Sequence, residues 1–126
     1  MILLDTDILV DVLRRYKPAL VWLETIEDEI ALPGFAAMEL VRGCKNKSEQ
    51  DAVEKTLNRV RILWLSEKGC SKAYEQFVKL HLWSEISMFD VLIAHIALDN
   101  KLQLHTFNTK HYRNYSACFS IKPFSQ

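Results

Sequence analysis

The chain has 126 residues, which is enough for one domain with a sizeable core and too few for two. Hydrophobic residues make up 49% and charged residues 25% of it, ordinary globular proportions that exclude a disordered or fibrous protein. The 16 Lys and Arg side chains balance the 16 Asp and Glu side chains, which argues against strong, unselective nucleic-acid binding but not against a local basic rim.

Two sequence patterns exclude further classes of protein. No apolar run approaches the roughly 20 residues that a membrane span needs, and the chain reaches Asp5 too early for a signal peptide. The three cysteines are far apart and include no CxxC pair, so the sequence supports neither a zinc site nor a disulfide framework. We therefore expect one cytoplasmic domain over residues 1–126, with its thiols free and buried or half-buried.

The predicted elements alternate between strand and helix from the start of the chain. In the first half, apolar runs at 2–4 and 30–32 predict short strands. The helical spacing of apolar residues predicts helices at 6–15, 18–29 and 35–43. Each predicted strand is thus followed by a helix.

The same alternation continues in the second half. A helix begins at Ser48, with Asp51 in a weak capping box, and a strand follows at 61–65. The inner stripe of the next helix is predicted to consist of Tyr74, Phe77, Val78 and His81. The remaining predicted elements are a helix at 88–99, with Phe89, Leu92, Ile93, Ile96 and Ala97 as its apolar face, and strands at 102–107 and 119–124.

This order of elements predicts an α/β fold. Strands that alternate with helices form a mostly parallel sheet covered by helices on both faces, here a three-layer α/β/α arrangement with four to five short strands. In such sheets, ligands bind outside the carboxyl ends of the strands. Functional side chains are therefore expected just after a strand or at the start of the following helix.

Two carboxylates are candidates for a site at the carboxyl ends of the strands. Asp5 directly follows the first strand, although Asp5 or Asp7 could simply cap the helix that starts there. Glu39 is the one acidic residue in an otherwise apolar stretch, and a surface pair with Arg42 is the alternative interpretation. A buried carboxylate needs a partner, and a metal ion is one candidate.

Asp90 is placed by helical geometry. At about 100° per residue, Asp90 borders the buried face of its helix. Asp99 and His95 point in other directions, so we assign them to solvation or packing. Asp5, Glu39 and Asp90 thus come from three separate elements that a parallel α/β fold can bring together.

A cluster of ionised carboxylates indicates a hard divalent cation, and oxygen ligands favour Mg²⁺ or Mn²⁺ over Zn²⁺.

Four segments carry a family resemblance through their order and spacing: LLDTDILVD at 3–11, ELVRG at 39–43, FDVLIA at 89–94 and LHTFNTKHY at 104–112. Together they resemble the PIN-domain ribonucleases, specifically the VapC-like toxins of type II toxin–antitoxin modules. The resemblance implies a PIN-like α/β sandwich and an Mg²⁺- or Mn²⁺-dependent endoribonuclease that cleaves structured RNA of the tRNA or rRNA class. It also implies a homodimer and a cognate antitoxin whose C-terminal segment occludes the site.

The resemblance also implies roles for individual residues. By position, Asp5, Glu39 and Asp90 match the first three acidic residues of the family. Thr6 matches the hydroxyl residue beside the first acid, and Asn108 matches a polar residue that helps to order the site.

One departure affects the metal site. Relatives commonly carry a fourth acid in the pattern Asn-x-x-Asp-Phe, and here His111 takes the place of that acid. Our hypothesis is a single bound ion, with His111 near the scissile phosphate as a hydrogen-bond donor or proton carrier. The alternative is that His111 is only a loop residue.

Other side chains have a solvated or packed role as their simplest interpretation. Among the basic residues, Arg42, Lys110 and Arg113 are candidates for RNA phosphates because of their neighbours. Tyr112 could stack on a base, although packing is the simpler reading. The three tryptophans are assigned to the core or to an interface: Trp22, Trp64 and Trp83.

Three other functions are compatible with parts of this pattern. A haloacid-dehalogenase-type phosphatase is disfavoured because Leu9 stands where its DxD motif expects Thr or Val, and because no later Gly-Asp acidic pair follows a strand. A response-regulator receiver lacks its acidic doublet and its mid-chain strand-terminal Asp. The substitution at His111 keeps open a catalytically weakened PIN-like module that binds RNA or a protein.

Overall fold

A computed structural model describes residues 1–112 and 120–121. Within these residues the chain forms five strands, six α-helices and one 3₁₀ helix. The strands are β1 (Ile2–Leu4), β2 (Ile30–Pro33), β3 (Arg61–Leu63), β4 (Leu104–His105) and β5 (Ser120–Ile121). The helices are α1 (Thr6–Leu13), α2 (Lys17–Glu24), α3 (Gly34–Arg42), α4 (Lys47–Leu57), α5 (Glu67–Leu80), α6 (Met88–Asn100) and the 3₁₀ helix Thr109–Tyr112.

The strands form one parallel sheet in the order β3-β2-β1-β4-β5. All three residues of β1 are buried, although successive side chains of a strand point to opposite faces. Both faces of the sheet are therefore covered, as the alternation of elements predicts. The α/β fold class is confirmed.

The register between β1 and β4 determines where the candidate site lies. Leu4 of β1 pairs with His105 of β4, so the next residues, Asp5 and Thr106, leave neighbouring strands at the same edge of the sheet. In a parallel sheet this is the carboxyl edge, where the first helix turns begin. The carboxylate of Asp5 and the hydroxyl of Thr106 therefore lie side by side at the ends of two central strands.

Several helices and strands are shorter than predicted. The predicted helix at 18–29 ends at Glu24, because Thr25 caps it and a run of exposed acidic residues follows. The predicted capping box at Ser48 is wrong. Asn46 is the N-cap of α4, and its side chain accepts a 2.9 Å hydrogen bond from the Glu49 amide.

The predicted inner stripe of α5 is confirmed at Phe77 and wrong at its other three residues. Tyr74 and Val78 are 68% and 52% exposed. The inner face instead consists of Gly69 and Ala73, both buried, with Phe77 packed against the core one turn further on. The glycine lets α5 approach its neighbours closely, because a Cβ there would collide with Leu65 and Asp99. The contact of α5 with the core is therefore made closest at its small residues, Gly69 and Ala73.

The α6 helix is buried on more sides than one apolar face allows. Val91 and the run from Ile93 to Ala97, including His95, are buried, whereas Phe89 and Leu92 are only half-buried. Contacts with α3, α5 and the 3₁₀ helix account for this burial. The single apolar face predicted for this helix is therefore too narrow.

Two of the tryptophans are not in the core. Trp83 is 87% exposed and Trp64 is 58% exposed, whereas Trp22 packs against the core. Trp64 lies over Gly34, where a Cβ would occupy the space of its ring, and its ring meets Phe35 edge-on. A bulky side chain covers the glycine from outside and stays in contact with solvent.

The thiols are free but only partly buried. Cys44 is half-buried and Cys70 is exposed, so the expectation of burial is wrong for Cys70. Cys118 and most of the predicted last strand lie outside the described residues. No helix in the described part of the chain is long and apolar enough to cross a membrane.

Candidate active site

Asp5 occupies the centre of the site and also starts a helix. It is the N-cap of α1, and its Oδ1 accepts a 2.7 Å hydrogen bond from the Thr6 amide. Its Oδ2 accepts hydrogen bonds from the hydroxyls of Thr106, at 2.9 Å, and Tyr112, at 3.2 Å. Asp5 is 6% exposed. The two interpretations of Asp5, helix cap and site residue, are therefore compatible.

Thr6 connects Asp5 to Glu39. The Thr6 hydroxyl donates to Glu39 Oε1 over 3.3 Å, while the Thr6 amide donates to Asp5. Glu39 projects from α3 and is half-buried, and Arg42 lies exposed one turn further along the same helix. The β2–α3 unit thus brings a second carboxylate to the end of β1.

Asp90 approaches from the opposite side, at the start of α6. It forms a capping box with Ser87, whose amide donates to Asp90 Oδ2 over 3.3 Å. The other oxygen, Oδ1, is 3.3 Å from the Tyr112 hydroxyl, which also contacts Asp5. Asp5 is therefore linked to Glu39 through Thr6 and to Asp90 through Tyr112. The structure brings the three predicted acids to one place.

The electrostatics of this group reflect crowding of like charges. Burial raises the pKa of Asp5; hydrogen bonds from Thr106 and Thr6 oppose this rise, and the charge of Asp90 adds to it. Burial and the charges of Asp5 and Asp90 also raise the pKa of Glu39, against the Thr6 hydrogen bond and Arg42. The ionised cluster is therefore short of positive charge.

A second carboxylate network lies beside the first. Asp7 Oδ2 accepts a hydrogen bond from the Phe107 amide, at 2.9 Å, and lies 3.3 Å from the Thr106 hydroxyl, whose single proton goes to one of Asp5 and Asp7 at a time. Its Oδ1 is buried without a hydrogen-bond partner among the described residues. Burial and the charge of Asp5 raise the pKa of Asp7 to about 6. Asn108 contacts this network, with its side-chain nitrogen 3.5 Å from Asp7, rather than the three acids.

The sequence did not predict the roles of Thr106 and of the Tyr112 hydroxyl. Thr106 is fully buried, donates to Asp5 and accepts from the Asn108 amide. The available signal was its position directly after a predicted parallel strand, the same position that singled out Asp5. Of the two interpretations of Tyr112, packing is confirmed, because this side chain is 1% exposed; its hydroxyl also contacts Asp5 and Asp90.

Burial and the charges of Asp5 and Asp90 raise the pKa of Tyr112, so its hydroxyl remains protonated at neutral pH. Among the other predicted site residues, Lys110 is exposed in the 3₁₀ helix. The side chain of His111 and all of Arg113 lie outside the described residues.

A groove of about 860 Å³ runs between α1, α3 and α4 and reaches the site at Thr6 and Glu39. Its apolar lining includes Val10, Leu13, Leu40 and Val53, and its charged lining consists of Arg14, Arg15, Lys45, Glu39 and Glu49. Of the three acids, Glu39 therefore lines a groove that is partly apolar and carries more basic than acidic side chains.

The donor chemistry fits a hard divalent cation, although the side chains are not arranged as a closed cage. Among residues 1–112 and 120–121, no three His, Cys, Asp or Glu side chains converge closely enough to hold an ion in the observed positions. The oxygens of Asp5 and Asp90 nevertheless lie within 3.3 Å of the same hydroxyl oxygen, and Thr6 links Glu39 to Asp5, through its hydroxyl on one side and its amide on the other. Mg²⁺ keeps several waters and needs only one or two carboxylates.

The sequence profile of the PIN domain matches residues 2–116. The chain belongs to the PIN domain family. A search of curated proteins gave no significant match.

Solved structures share the fold of this PIN domain over nearly the whole chain. A toxin–antitoxin complex from Klebsiella pneumoniae contains a chain that is 21% identical, with full coverage of both chains and a TM-score of 0.81. VapBC2 from Rickettsia felis, bound to a fragment of promoter DNA, is 24% identical over 97% of this chain and 98% of the other, with a TM-score of 0.79. VapC20 from Mycobacterium tuberculosis, a toxin that cleaves the sarcin–ricin loop, is 17% identical over 91% and 95%, with a TM-score of 0.73. The resemblance to VapC-like toxins, first seen in four short segments, therefore extends to the fold.

Proposed function

We propose that this PIN domain is an Mg²⁺- or Mn²⁺-dependent endoribonuclease that acts as the toxin of a toxin–antitoxin pair and cleaves structured RNA of the tRNA or rRNA class. One observation carries the proposal. Carboxylates that follow β1 and project from α3 and α6 meet at the carboxyl edge of the sheet. The charge of Asp90 raises the pKa of Asp5, and the charges of Asp5 and Asp90 raise the pKa of Glu39, so a bound cation would stabilise the ionised group.

Asp5, Glu39 and Asp90 would hold the ion. A bound divalent cation lowers the pKa of a water ligand and neutralises charge on a phosphate, which is the chemistry that phosphodiester hydrolysis needs. The chain supplies orientation: Thr106 and the Thr6 amide fix the two oxygens of Asp5, and Ser87 fixes one oxygen of Asp90. These hydrogen bonds hold the ligand atoms before substrate arrives.

Basic side chains near the site would contact RNA phosphates. Arg42 is exposed one turn from Glu39, and Lys110 is exposed two residues from Asn108. Arg113 and His111 remain candidates by sequence position. Because such contacts neutralise phosphates, we expect RNA affinity to fall as salt concentration rises. The fold neighbour VapC20, described as cleaving the sarcin–ricin loop, supports a structured RNA as the substrate class.

The decisive experiment is cleavage of a structured RNA mixture with added Mn²⁺. We expect cleavage that EDTA abolishes and that Asp5→Ala removes, whereas Asp51→Ala leaves it intact because Asp51 pairs with Lys47 on exposed α4. Cleavage that survives Asp5→Ala contradicts the proposed site. RNA or protein binding without any cleavage by the wild type supports the alternative, a catalytically weakened PIN-like binding module.

A cognate antitoxin is the proposed protein partner, since several fold neighbours are toxin–antitoxin complexes. The groove between α1, α3 and α4 has apolar walls, and besides Glu39 its charged lining consists of three basic residues and Glu49. A segment with apolar and acidic side chains matches that lining. The test is inhibition of RNA cleavage by the product of the adjacent small reading frame. Arg14→Glu combined with Arg15→Glu should weaken inhibition at least tenfold, and Lys68→Glu on α5 should not.

The proposed oligomer is a homodimer. Around the connection between α5 and α6, the described structure exposes large apolar side chains: Val78 52%, Leu82 77%, Trp83 87% and Met88 67%. Exposed apolar patches mark interaction surfaces, and a second copy of the chain is the partner that symmetry favours. Light scattering should report a dimer that Leu82→Glu converts to a monomer and that Val21→Glu, on α2, leaves unchanged. A monomeric wild type contradicts the proposal.

A further inference from the structure

The Tyr112 hydroxyl joins carboxylates that arrive from two different elements. It lies 3.2 Å from Asp5 Oδ2, at the end of β1, and 3.3 Å from Asp90 Oδ1, in the first turn of α6. The ring belongs to the 3₁₀ helix Thr109–Tyr112 and is 1% exposed, so packing fixes its position. A single rigid side chain therefore touches both acids.

Apart from the Thr106 hydroxyl, which bonds Asp5 Oδ2 from the end of β4, the other hydrogen bonds described here for these acids are made within their own helices. Asp5 Oδ1 accepts from the Thr6 amide, and Asp90 Oδ2 accepts from the Ser87 amide. Those bonds orient each carboxylate relative to its own helix but not relative to the other carboxylate. The Tyr112 hydroxyl, by contrast, contacts one carboxylate on each side of the gap between β1 and α6.

A hydroxyl carries one proton, so it donates to one of the two carboxylates at a time. The bridge holds the acids near each other without neutralising them, since the phenol adds no charge. Two oriented anions with a neutral spacer between them still require a cation. The Tyr112 hydroxyl therefore fixes the distance between Asp5 and Asp90 and does not balance their negative charge.

We propose that Tyr112 is a positioning residue whose hydroxyl holds Asp5 and Asp90 at the spacing in which they share one divalent cation. The hydroxyl acts through the two carboxylates and is not itself a ligand of the ion. This inference rests on the proposed function for the identity of the site, but its test does not depend on RNA cleavage.

The test compares the wild type, Tyr112→Phe and Tyr74→Phe. The first variant removes only the bridging oxygen, and the control removes the hydroxyl of an exposed tyrosine on α5. Mn²⁺ affinity is measured by isothermal titration calorimetry on protein freed of metal with a chelator. Loss of a group that orients a metal ligand typically weakens binding 10- to 100-fold, so we expect a dissociation constant at least about tenfold higher for Tyr112→Phe and unchanged for Tyr74→Phe.

Cleavage assays provide the second readout. For Tyr112→Phe, the Mn²⁺ concentration that gives half-maximal cleavage should rise by the same factor, while KM for RNA at saturating Mn²⁺ stays at the wild-type value. Unchanged Mn²⁺ affinity would show that the hydroxyl serves packing alone. Tighter Mn²⁺ binding would show that it competes with the cation. Either result overturns the inference.

Two further measurements keep the outcomes separate. If Tyr112→Phe does not fold, the ultraviolet difference spectrum of the wild type on Mg²⁺ addition is recorded, with Tyr74→Phe as the background. A tyrosine signal that saturates with the ion supports the inference, and its absence overturns it. If the wild type binds Mn²⁺ and Tyr112→Phe weakens that binding, but no RNA is cleaved, the proposed function fails and the role of Tyr112 stands.

Discussion

The starts of α4 and α6 use the same local device in different surroundings. In α4, the cap Asn46 is followed three residues later by Glu49; in α6, the cap Ser87 is followed three residues later by Asp90. Both acids accept a hydrogen bond from a backbone amide, Glu49 from Lys45 at 2.8 Å and Asp90 from Ser87 at 3.3 Å. Glu49 is exposed, whereas Asp90 is half-buried and meets the Tyr112 hydroxyl.

The difference shows that a capping pattern does not by itself distinguish a structural carboxylate from a functional one. A capping acid needs only one of its two oxygens for the helix, so the second oxygen is free to serve a site. Whether it does so depends on what the rest of the fold places opposite it. Opposite Asp90 lie Tyr112 and, across that hydroxyl, Asp5.

The sharpest test of this comparison is to neutralise both acids. Asp90→Asn and Glu49→Gln each keep an oxygen that can accept the capping hydrogen bond, so both variants should fold with similar melting temperatures. Cleavage should fall about 100-fold or more in Asp90→Asn, because the ion loses a charged ligand, and should stay at the wild-type rate in Glu49→Gln. Equal rates in the two variants would remove Asp90 from the site.

A second comparison concerns two threonine hydroxyls, one buried in the site and one on the surface. Thr106 is fully buried and bonds Asp5, whereas Thr25 is exposed and bonds the Trp22 carbonyl at the end of α2. Thr106→Val leaves a buried carboxylate oxygen with one donor fewer, so we expect a loss of about 1–3 kcal/mol in the free energy of unfolding. Thr25→Val should change it by less than about 0.5 kcal/mol. Denaturant titration measures both values, and similar losses would contradict the comparison.

The pH dependence of stability distinguishes the site from ordinary surface carboxylates. The pKa of Asp7 rises from 3.8 to about 6 on folding, so between about pH 4 and pH 6 the folded protein holds a proton that the unfolded chain releases. The stabilisation is present below this window and is lost as pH rises through it, with Asp5 and Glu39 acting in the same direction.

The test uses denaturant titrations in EDTA from pH 4 to pH 7. For the wild type, these groups should make the free energy of unfolding fall with rising pH, by at most about 1.4 kcal/mol per pH unit for each proton released. Asp7→Asn should reduce that slope, and Asp51→Asn on exposed α4 should not. A slope in Asp7→Asn equal to that of the wild type would contradict the raised pKa.

The smallest effect is expected at His111, which stands where relatives commonly have an acid. If His111 donates to a phosphate or carries a proton, His111→Ala should lower the cleavage rate by about tenfold, which is the low end for general acid–base or hydrogen-bonding roles. His111→Asp adds a charge and should change the dependence of the rate on Mn²⁺. Wild-type rates in both variants would remove His111 from the mechanism.

Much of the fold was predictable because it depends on local patterns. Apolar runs and helical spacing identified strands and helices in the correct order, and their alternation predicted a parallel sheet. The failures came from packing. The inner face of α5 is set by Gly69 and Ala73, and small residues give little signal in a hydrophobic pattern. Trp83 is exposed because nothing in the described chain covers it.

For the site, sequence alone determined that one acid follows β1, one lies in the second half of α3 and one lies in the first turn of α6, because the apolar spacing indicates where each element lies. Only the tertiary structure decided how those acids are held. Asp5 receives hydroxyls from Thr106 and Tyr112, which are 101 and 107 residues away along the chain. Contacts over such separations have no local pattern, because they arise from the register of β1 against β4 and from the packing of the 3₁₀ helix against α6.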